Sequence, residues 1–268
     1  MTPSETSKVI DREFYETELD EELRLYDPSN PVCRYYHLSR KERVERVCRE
    51  LLTGTGAPTN GRVAADVGCG TGSYFPVLTR FADRVTGVEI ARPKARAVQE
   101  RYGRDRVRIV VGSATEIPLS DARYDLVLCS EVIEHFPNPQ HVLAEVFRIT
   151  KPGGYVVIST PVRYDVGTLL RAFTGRRNRS SRRLKVPDQH GHYWYFAPHD
   201  LAMQLAALGA EVVRFIVVPR IHFPGLARLL RTRLVSPKLL LRLGERLPHI
   251  GALVDLGAFG IFVTRKLA

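Results

Sequence analysis

Cysteine is scarce in this chain. Its 268 residues hold four (Cys33, Cys48, Cys69 and Cys129), with no CxxC pair and no Cys/His spacing of the metal-binding kind. The reading is reduced thiols in a cytosolic protein, and no metal site is implied. Long apolar runs are also lacking. No stretch of about 18 uninterrupted apolar residues occurs, which speaks against a membrane-spanning helix. The first residues are polar and acidic, without the apolar segment of a secretory leader, so a cytoplasmic location is expected. Acids are missing from two later stretches. Arg171 to Lys185 carries seven Arg and Lys with no Asp or Glu, and Arg220 to Arg246 holds Glu245 alone among its basic residues. The formal net charge of +11 is therefore clustered. Clustering points to an anionic partner such as a membrane face, a phosphorylated substrate or nucleic acid; solvated basic faces are the plain alternative.

What is present is an alternating pattern. Near-continuous β-branched runs occur at Arg62–Val67, Arg84–Val88, Val107–Val111, Tyr124–Cys129 and Tyr155–Thr160. Helix-compatible stretches at Tyr74–Ala82, Pro93–Tyr102 and Gln140–Thr150 separate most of them. Strand and helix alternating in this way argue for βαβ units, and the apolar runs suit strands covered on both faces. Tyr35–Leu52 reads as a preceding helix, Pro198–Leu208 as a later one, and Val212–Val218 and Gly257–Thr264 as closing strands. The expected fold is α/β: a doubly wound, mostly parallel, seven-stranded Rossmann-like sheet. An N-terminal helical flap (1–58) precedes a domain at 59–268 with its core at 61–161, a basic loop at 163–190 and a helical insertion at 219–250.

The most specific segment is Asp66-Val67-Gly68-Cys69-Gly70-Thr71-Gly72-Ser73, directly after a strand. Its three glycines allow a sharp turn and a close backbone approach to a ligand. A helix expected to begin near Ser73 would aim unpaired N–H groups at the same place. The dinucleotide fingerprint requires a glycine where this chain has Ser73. Asp66 suits a cationic ammonium or sulfonium and would repel a pyrophosphate. Glu89 ends the next strand, 17 residues after Gly72, near the spacing at which an acid meets ribose hydroxyls in such folds.

These segments resemble the class I S-adenosylmethionine-dependent methyltransferases, particularly the branch that includes the ubiquinone and menaquinone methyltransferases. The resemblance rests on their order: Asp66–Gly72, Val88-Glu89-Ile90, Gly112 through Leu119, Tyr124-Asp125-Leu126-Val127, Leu128 through His135, and Lys151-Pro152-Gly153-Gly154. It is strong over Gly61 to Pro161 and weak elsewhere. It implies S-adenosyl-L-methionine as cofactor, held by Asp66, Gly68, Cys69, Gly70, Thr71, Gly72, Glu89, Ile90, Ser113, Ala114, Thr115, Ser130 and Glu131. Many relatives carry aspartate at the position of Ser113, where it accepts from the adenine amine, so a serine here implies weaker adenine contact.

Ser130, Glu131, Glu134 and His135 follow the fourth core strand, at the end of the sheet where ligands bind. Methyl transfer from a sulfonium requires alignment and exclusion of water, with a base when the acceptor is a hydroxyl. His135 is the first candidate base; the alternative is a histidine that packs and bonds locally. His190 and His192, beside Tyr193-Trp194-Tyr195, are the second, in a run that lines an acceptor pocket or packs the core edge. No third ligand at suitable spacing turns the pair into a metal set.

The expected acceptor is a small, lipophilic molecule, with O-methylation favoured. Leucines interleaved with arginines between Phe223 and Leu247 suit a lid lying on an anionic membrane, or equally a cap packed on its own domain. RNA methylation through the basic tracts is a competing reading, though no Asn-Pro-Pro-Tyr-like signature follows the fourth strand. A cofactor-binding scaffold without catalysis is another.

Overall fold

The structure is a computed structural model. It describes residues 37–53, 61–163, 181–187, 191–219 and 257–267, with isolated positions at 31, 228, 230, 232, 236 and 239. The expected segment 1–30, most of the basic loop with His190, and most of the insertion at 219–250 lie outside the described residues.

In chain order the elements are α1 (Ser39–Thr53), β1 (Val63–Val67), α2 (Phe75–Phe81), β2 (Arg84–Glu89), α3 (Arg92–Tyr102), β3 (Val107–Val111) and β4 (Tyr124–Ser130). A 3₁₀ turn (Ile133–His135) follows, then α4 (Pro139–Ile149), β5 (Thr150–Arg163), β6 (Arg182–Arg183), β7 (Trp194–Tyr195), α5 (Pro198–Ala207), β8 (Ala210–Pro219) and β9 (Gly257–Lys266). Seven strands form one sheet in the order β3-β2-β1-β4-β5-β9-β8. The first five are mutually parallel, and β9 runs antiparallel to both β5 and β8. β6 and β7 make a separate two-stranded ribbon.

Alternation along each strand divides the core into two layers. Ala65, Val67, Val127, Cys129, Val156, Ile158 and Phe262 face α4 and α5, where they meet Val142, Leu143, Val146, Leu201 and Leu205. Ala64, Leu126, Leu128, Val157, Ile261 and Val263 face the other way, against Val44, Val47, Cys48 and Leu52 of α1, Phe75 and Leu78 of α2 and Val98 of α3. Each fully buried Leu, Ile or Phe contributes roughly 1.5–3 kcal/mol by leaving water. Helix α1 is thus tied into one layer by an i, i+3, i+4, i+8 stripe.

Besides the unexpected β6–β7 ribbon and small shifts at strand ends, two departures from the sequence expectation concern the core. β5 starts at Thr150, so the Lys-Pro-Gly-Gly segment lies inside the strand, where the pairing with β4 shifts register between Tyr124 and Leu126. α2 begins at Phe75 because the glycine turn uses the residues before it. The chain steps outward from β1 to β3 and then returns to β4, so the carboxyl ends of β1 and β4 flank the point where strand order reverses. Ligands bind at such a crevice.

Candidate active site

Gly68, Gly70 and Gly72 all adopt positive φ (71°, 49° and 75°), a conformation that costs other residues a Cβ clash. At Gly68 space matters as well: a Cβ there would lie 2.5 Å from a Val132 methyl, so the glycine loop rests directly on the segment after β4. The expected N–H groups aimed at a ligand are largely spoken for. Gly68 and Cys69 N–H donate to the Val88 carbonyl at 2.8 and 3.1 Å, Gly72 N–H to Cys69 O at 2.8 Å, and Gly70 N–H to Glu89 Oε2 at 2.9 Å. With these four amides taken, the loop has little to offer a phosphate, in keeping with an acidic residue, Asp66, at its root. Asp66 itself is buried at the end of β1, opposite Gly87 and Leu128. The Cys69 side chain packs into the core layer under β2, leaving only its backbone to meet a ligand.

Glu89 sits at the end of β2, 5% exposed, and its second oxygen accepts from Ala91 N–H at 2.8 Å. One carboxylate therefore fixes both the glycine loop and the start of α3. Ile90 beside it is half-buried. The loop after β3 is anchored through Gly112 N–H to Glu89 O at 3.0 Å. In it the Ser113 hydroxyl lies 2.8 Å from Thr115 Oγ1 and accepts from Thr115 N–H at 3.2 Å, while Ala114 is buried. Farther on, Glu145 of α4 accepts from Ile117 N–H, and Arg148 donates to the carbonyls of Ile117 and Leu119, clamping this loop to the helix. The guanidinium of Arg148 holds the Glu145 carboxyl below its ordinary range.

At the tip of β4 the site becomes a network of side chains. Ser130 Oγ lies 3.1 Å from Tyr74 Oη and 2.8 Å from Ser159 Oγ, its register partner on β5. Ser159 Oγ donates to Glu131 Oε1 at 3.1 Å. Glu131 has φ +56°, unusual for a residue with a side chain, and is held there by its N–H to Ser159 O at 2.8 Å. Arg40, from the first turn of α1, reaches the other Glu131 oxygen at 2.6 Å and lies over the Phe259 ring. Arg40 is 2% exposed, so this is a buried ion pair joining α1 to the site.

The turn after β4 carries Glu134 and His135. Glu134 is fully buried, accepting from Thr160 Oγ1 at 2.9 Å through Oε2. Burial first, and then the charge of Glu131, push its carboxyl well above the usual range. Burial likewise raises the Cys129 thiol, so it is an inert core group. His135 Nδ1 lies 3.2 Å from the Gly191 carbonyl, which can only accept, so Nδ1 carries a proton, and in the neutral ring the lone pair is on Nε2. The segment 191–196 is stitched to this turn by Tyr193 N–H to Glu134 O at 2.8 Å and Trp194 Nε1 to Pro137 O at 3.1 Å. That stitching sets the His192 ring edge-on to His135, centroids 4.9 Å apart.

Thus His135 and His192 meet, and the glycine loop, Glu89 and Ser130–Glu131 gather at one end of the sheet, whereas His190 lies outside the described residues. Arg40, Tyr74 and Ser159 join the site although the sequence did not single them out as site residues. For Ser159 the register with Ser130 is a usable signal. Arg40 has none, since its partner lies 91 positions away.

Residues 65–158 match a family described as a methyltransferase domain. The chain is 37% identical over 103 residues to a "Probable S-adenosylmethionine-dependent methyltransferase" of Mycolicibacterium smegmatis, covering 38% of this chain and 39% of that protein. It is 35% identical over 123 residues to a ubiquinone biosynthesis O-methyltransferase of Paracidovorax citrulli, covering 44% of this chain and 51% of the relative. These matches span about half or less of the curated relatives' length. Among solved structures, the magnesium protoporphyrin IX methyltransferase of Synechocystis with bound SAH superposes with a TM-score of 0.63 at 15% identity, covering 97% of this chain and 99% of that one. That likeness concerns the fold.

Proposed function

We propose that this chain, whose residues 65–158 match a methyltransferase domain, is a class I S-adenosylmethionine-dependent methyltransferase that transfers a methyl group to an oxygen of a small, lipophilic acceptor. The observation that carries the reading is Glu89: a nearly buried carboxylate at the end of β2, bonded to the N–H of Gly70 in a glycine loop whose Gly68, Cys69 and Gly72 N–H groups bond to backbone carbonyls. When bound, S-adenosylmethionine supplies an electrophilic methyl on a sulfonium sulfur. Glu89 would take the ribose hydroxyls, Asp66 would favour the cationic end, and Ala114 with Thr115 would face the adenine.

The acceptor side falls to the turn after β4. His135, its Nδ1 held by Gly191, would in its neutral form accept the hydroxyl proton at Nε2 as transfer proceeds. Trp194 stacks on the fully buried Phe196, centroids 5.7 Å apart, so this part of the segment is anchored in the core beside the turn. The ubiquinone-type relative, an O-methyltransferase by name, supports the choice of oxygen.

Calorimetric titration with S-adenosylmethionine and its demethylated product tests the first half. Wild-type protein binds both, and Glu89→Gln binds on the order of 10–100-fold more weakly, the effect of losing a charged hydrogen-bond acceptor. Incubating the protein and cofactor with a metabolite extract, then searching by mass spectrometry for methyl-shifted products, tests the second. No heat with either nucleoside would sink the reading.

A further inference from the structure

Glu134, His135 and His192 present one ligand atom each, all within 4.8 Å of one another. We propose that they form a binding site for a divalent transition-metal ion, in the vicinity of the transferred methyl. Two imidazoles and one carboxylate, with positions left open, make a set suited to Zn²⁺, Co²⁺ or Fe²⁺ and a poor one for Mg²⁺ or Ca²⁺, which prefer all-oxygen cages. Ligands about 2.1 Å from a tetrahedral ion sit roughly 3.4 Å apart, so closure around an ion requires at most about 1.4 Å of side-chain movement.

A second observation points to a ligand. Glu134 is fully buried, and while Oε2 takes the Thr160 hydroxyl, Oε1 has no hydrogen-bond partner among the described residues. A buried carboxylate oxygen left unmatched costs free energy, and a cation is the partner that would remove that cost. The outer surroundings fit as well. His135 Nδ1 donates to the Gly191 carbonyl, which orients the ring as a second partner does for a ligating imidazole. Thr160 fixes the carboxylate. Glu131 nearby is already paired with Arg40.

The binding claim stands on this geometry alone; the role of the ion rests on the O-methylation reading. An acceptor hydroxyl bound in an open position would become more acidic and lose its proton to water. Its oxygen lone pair would then form the bond to the methyl carbon as the carbon–sulfur bond breaks, the electron pair returning to sulfur to leave a neutral thioether. His135 would then serve as a ligand and not as the base, and methyl transfer would slow when chelator strips the protein.

The test uses tag-free full-length protein freed of metal by chelator and titrated with Co²⁺ alone, followed by visible absorption. Wild-type protein is expected to develop ligand-field bands that saturate at one equivalent and vanish on competition with Zn²⁺. His192→Ala and Glu134→Gln should weaken Co²⁺ binding by more than about tenfold, while both still bind S-adenosylhomocysteine. If Glu134→Gln fails to fold, His192→Ala carries the comparison, because His192 is only half-buried. No bands in wild-type protein that binds S-adenosylhomocysteine, or equal bands in the His192→Ala variant, would overturn the metal site and leave the methyl-transfer reading standing. Bands in a protein with no affinity for the nucleoside would do the reverse.

Discussion

Around the glycine loop the candidate cofactor region is built mostly on backbone geometry: positive-φ glycines at 68, 70 and 72, amides paired to Val88 and to the Glu89 carboxylate, and a loop at 113–115 bonded within itself. Around the tip of β4 it is side chain: Arg40, Glu131, Glu134, His135, Ser159 and His192, drawn from four separate stretches of the chain. The first region can hold the same cofactor in many proteins, because backbone geometry is insensitive to which side chains surround it. The second can be re-tailored to a new acceptor by single substitutions. A common donor and a variable acceptor thus call for two kinds of construction, joined where Val132 rests on Gly68.

That joint is where the comparison breaks most easily. Gly68→Ala forces a Cβ into a left-handed residue, at about 1–2 kcal/mol, and against the Val132 methyl, where overpacking adds roughly 1–3 kcal/mol. Melting temperature and S-adenosylhomocysteine affinity should both fall, the latter by more than about tenfold. Adding Val132→Ala should recover the packing share and leave the conformational share. Strict additivity of the two substitutions would show that the two regions are not in contact.

Next in size is Arg40→Met, which keeps the bulk of the side chain and removes its charge. Glu131 is then left partly buried without its cation, a loss of about 2 kcal/mol after allowing for its Ser159 bond and partial exposure. The variant should lose methyl-transfer rate while its S-adenosylhomocysteine affinity changes less than about threefold. If affinity falls as far as in Gly68→Ala, Glu131 belongs to the cofactor region and the division must be redrawn.

The same division decides what could be read from the sequence. Backbone motifs are contiguous: Asp66–Gly72, Glu89 and Gly112–Thr115 announce themselves because glycines and strand-end acids serve their purpose locally. The parallel strands are legible for a related reason, since burial on both faces writes itself as an apolar run. Their helices are placed within a few residues, and α2 starts later only because the glycine turn continues to Tyr74. The β4 cluster is legible only in pieces, because its spacing is spatial. Glu134 and His135 are adjacent, but His192 stands 57 positions on and is delivered by the Tyr193 and Trp194 hydrogen bonds. The ion pair of Arg40 depends on a helix that sequence periodicity places but cannot orient. The antiparallel entry of β9 between β5 and β8 likewise follows from how the chain crosses over, which no local pattern records.

The smallest expected effect lies at the edge of the cofactor region, in the clamp between α4 and the loop after β3. The Glu145 carboxyl titrates below its ordinary value, chiefly because Arg148 hydrogen-bonds its charged form. A carboxyl whose folded pKa is depressed adds stability that is present above its unfolded pKa, about 4.3, and is lost as pH falls through the folded value. Glu145→Gln, which keeps an acceptor for Ile117 N–H but loses the charge facing Arg148, should cost about 1 kcal/mol at neutral pH. Denaturant melts on a descending pH series should show that deficit shrinking below pH about 4.3 and closing beneath the folded pKa. Cofactor affinity should move less than about threefold, because the loop amides and the Ser113–Thr115 contact remain. A deficit that persists at low pH would mean the clamp works by packing, and the 113–121 loop would then owe its position to shape instead of charge.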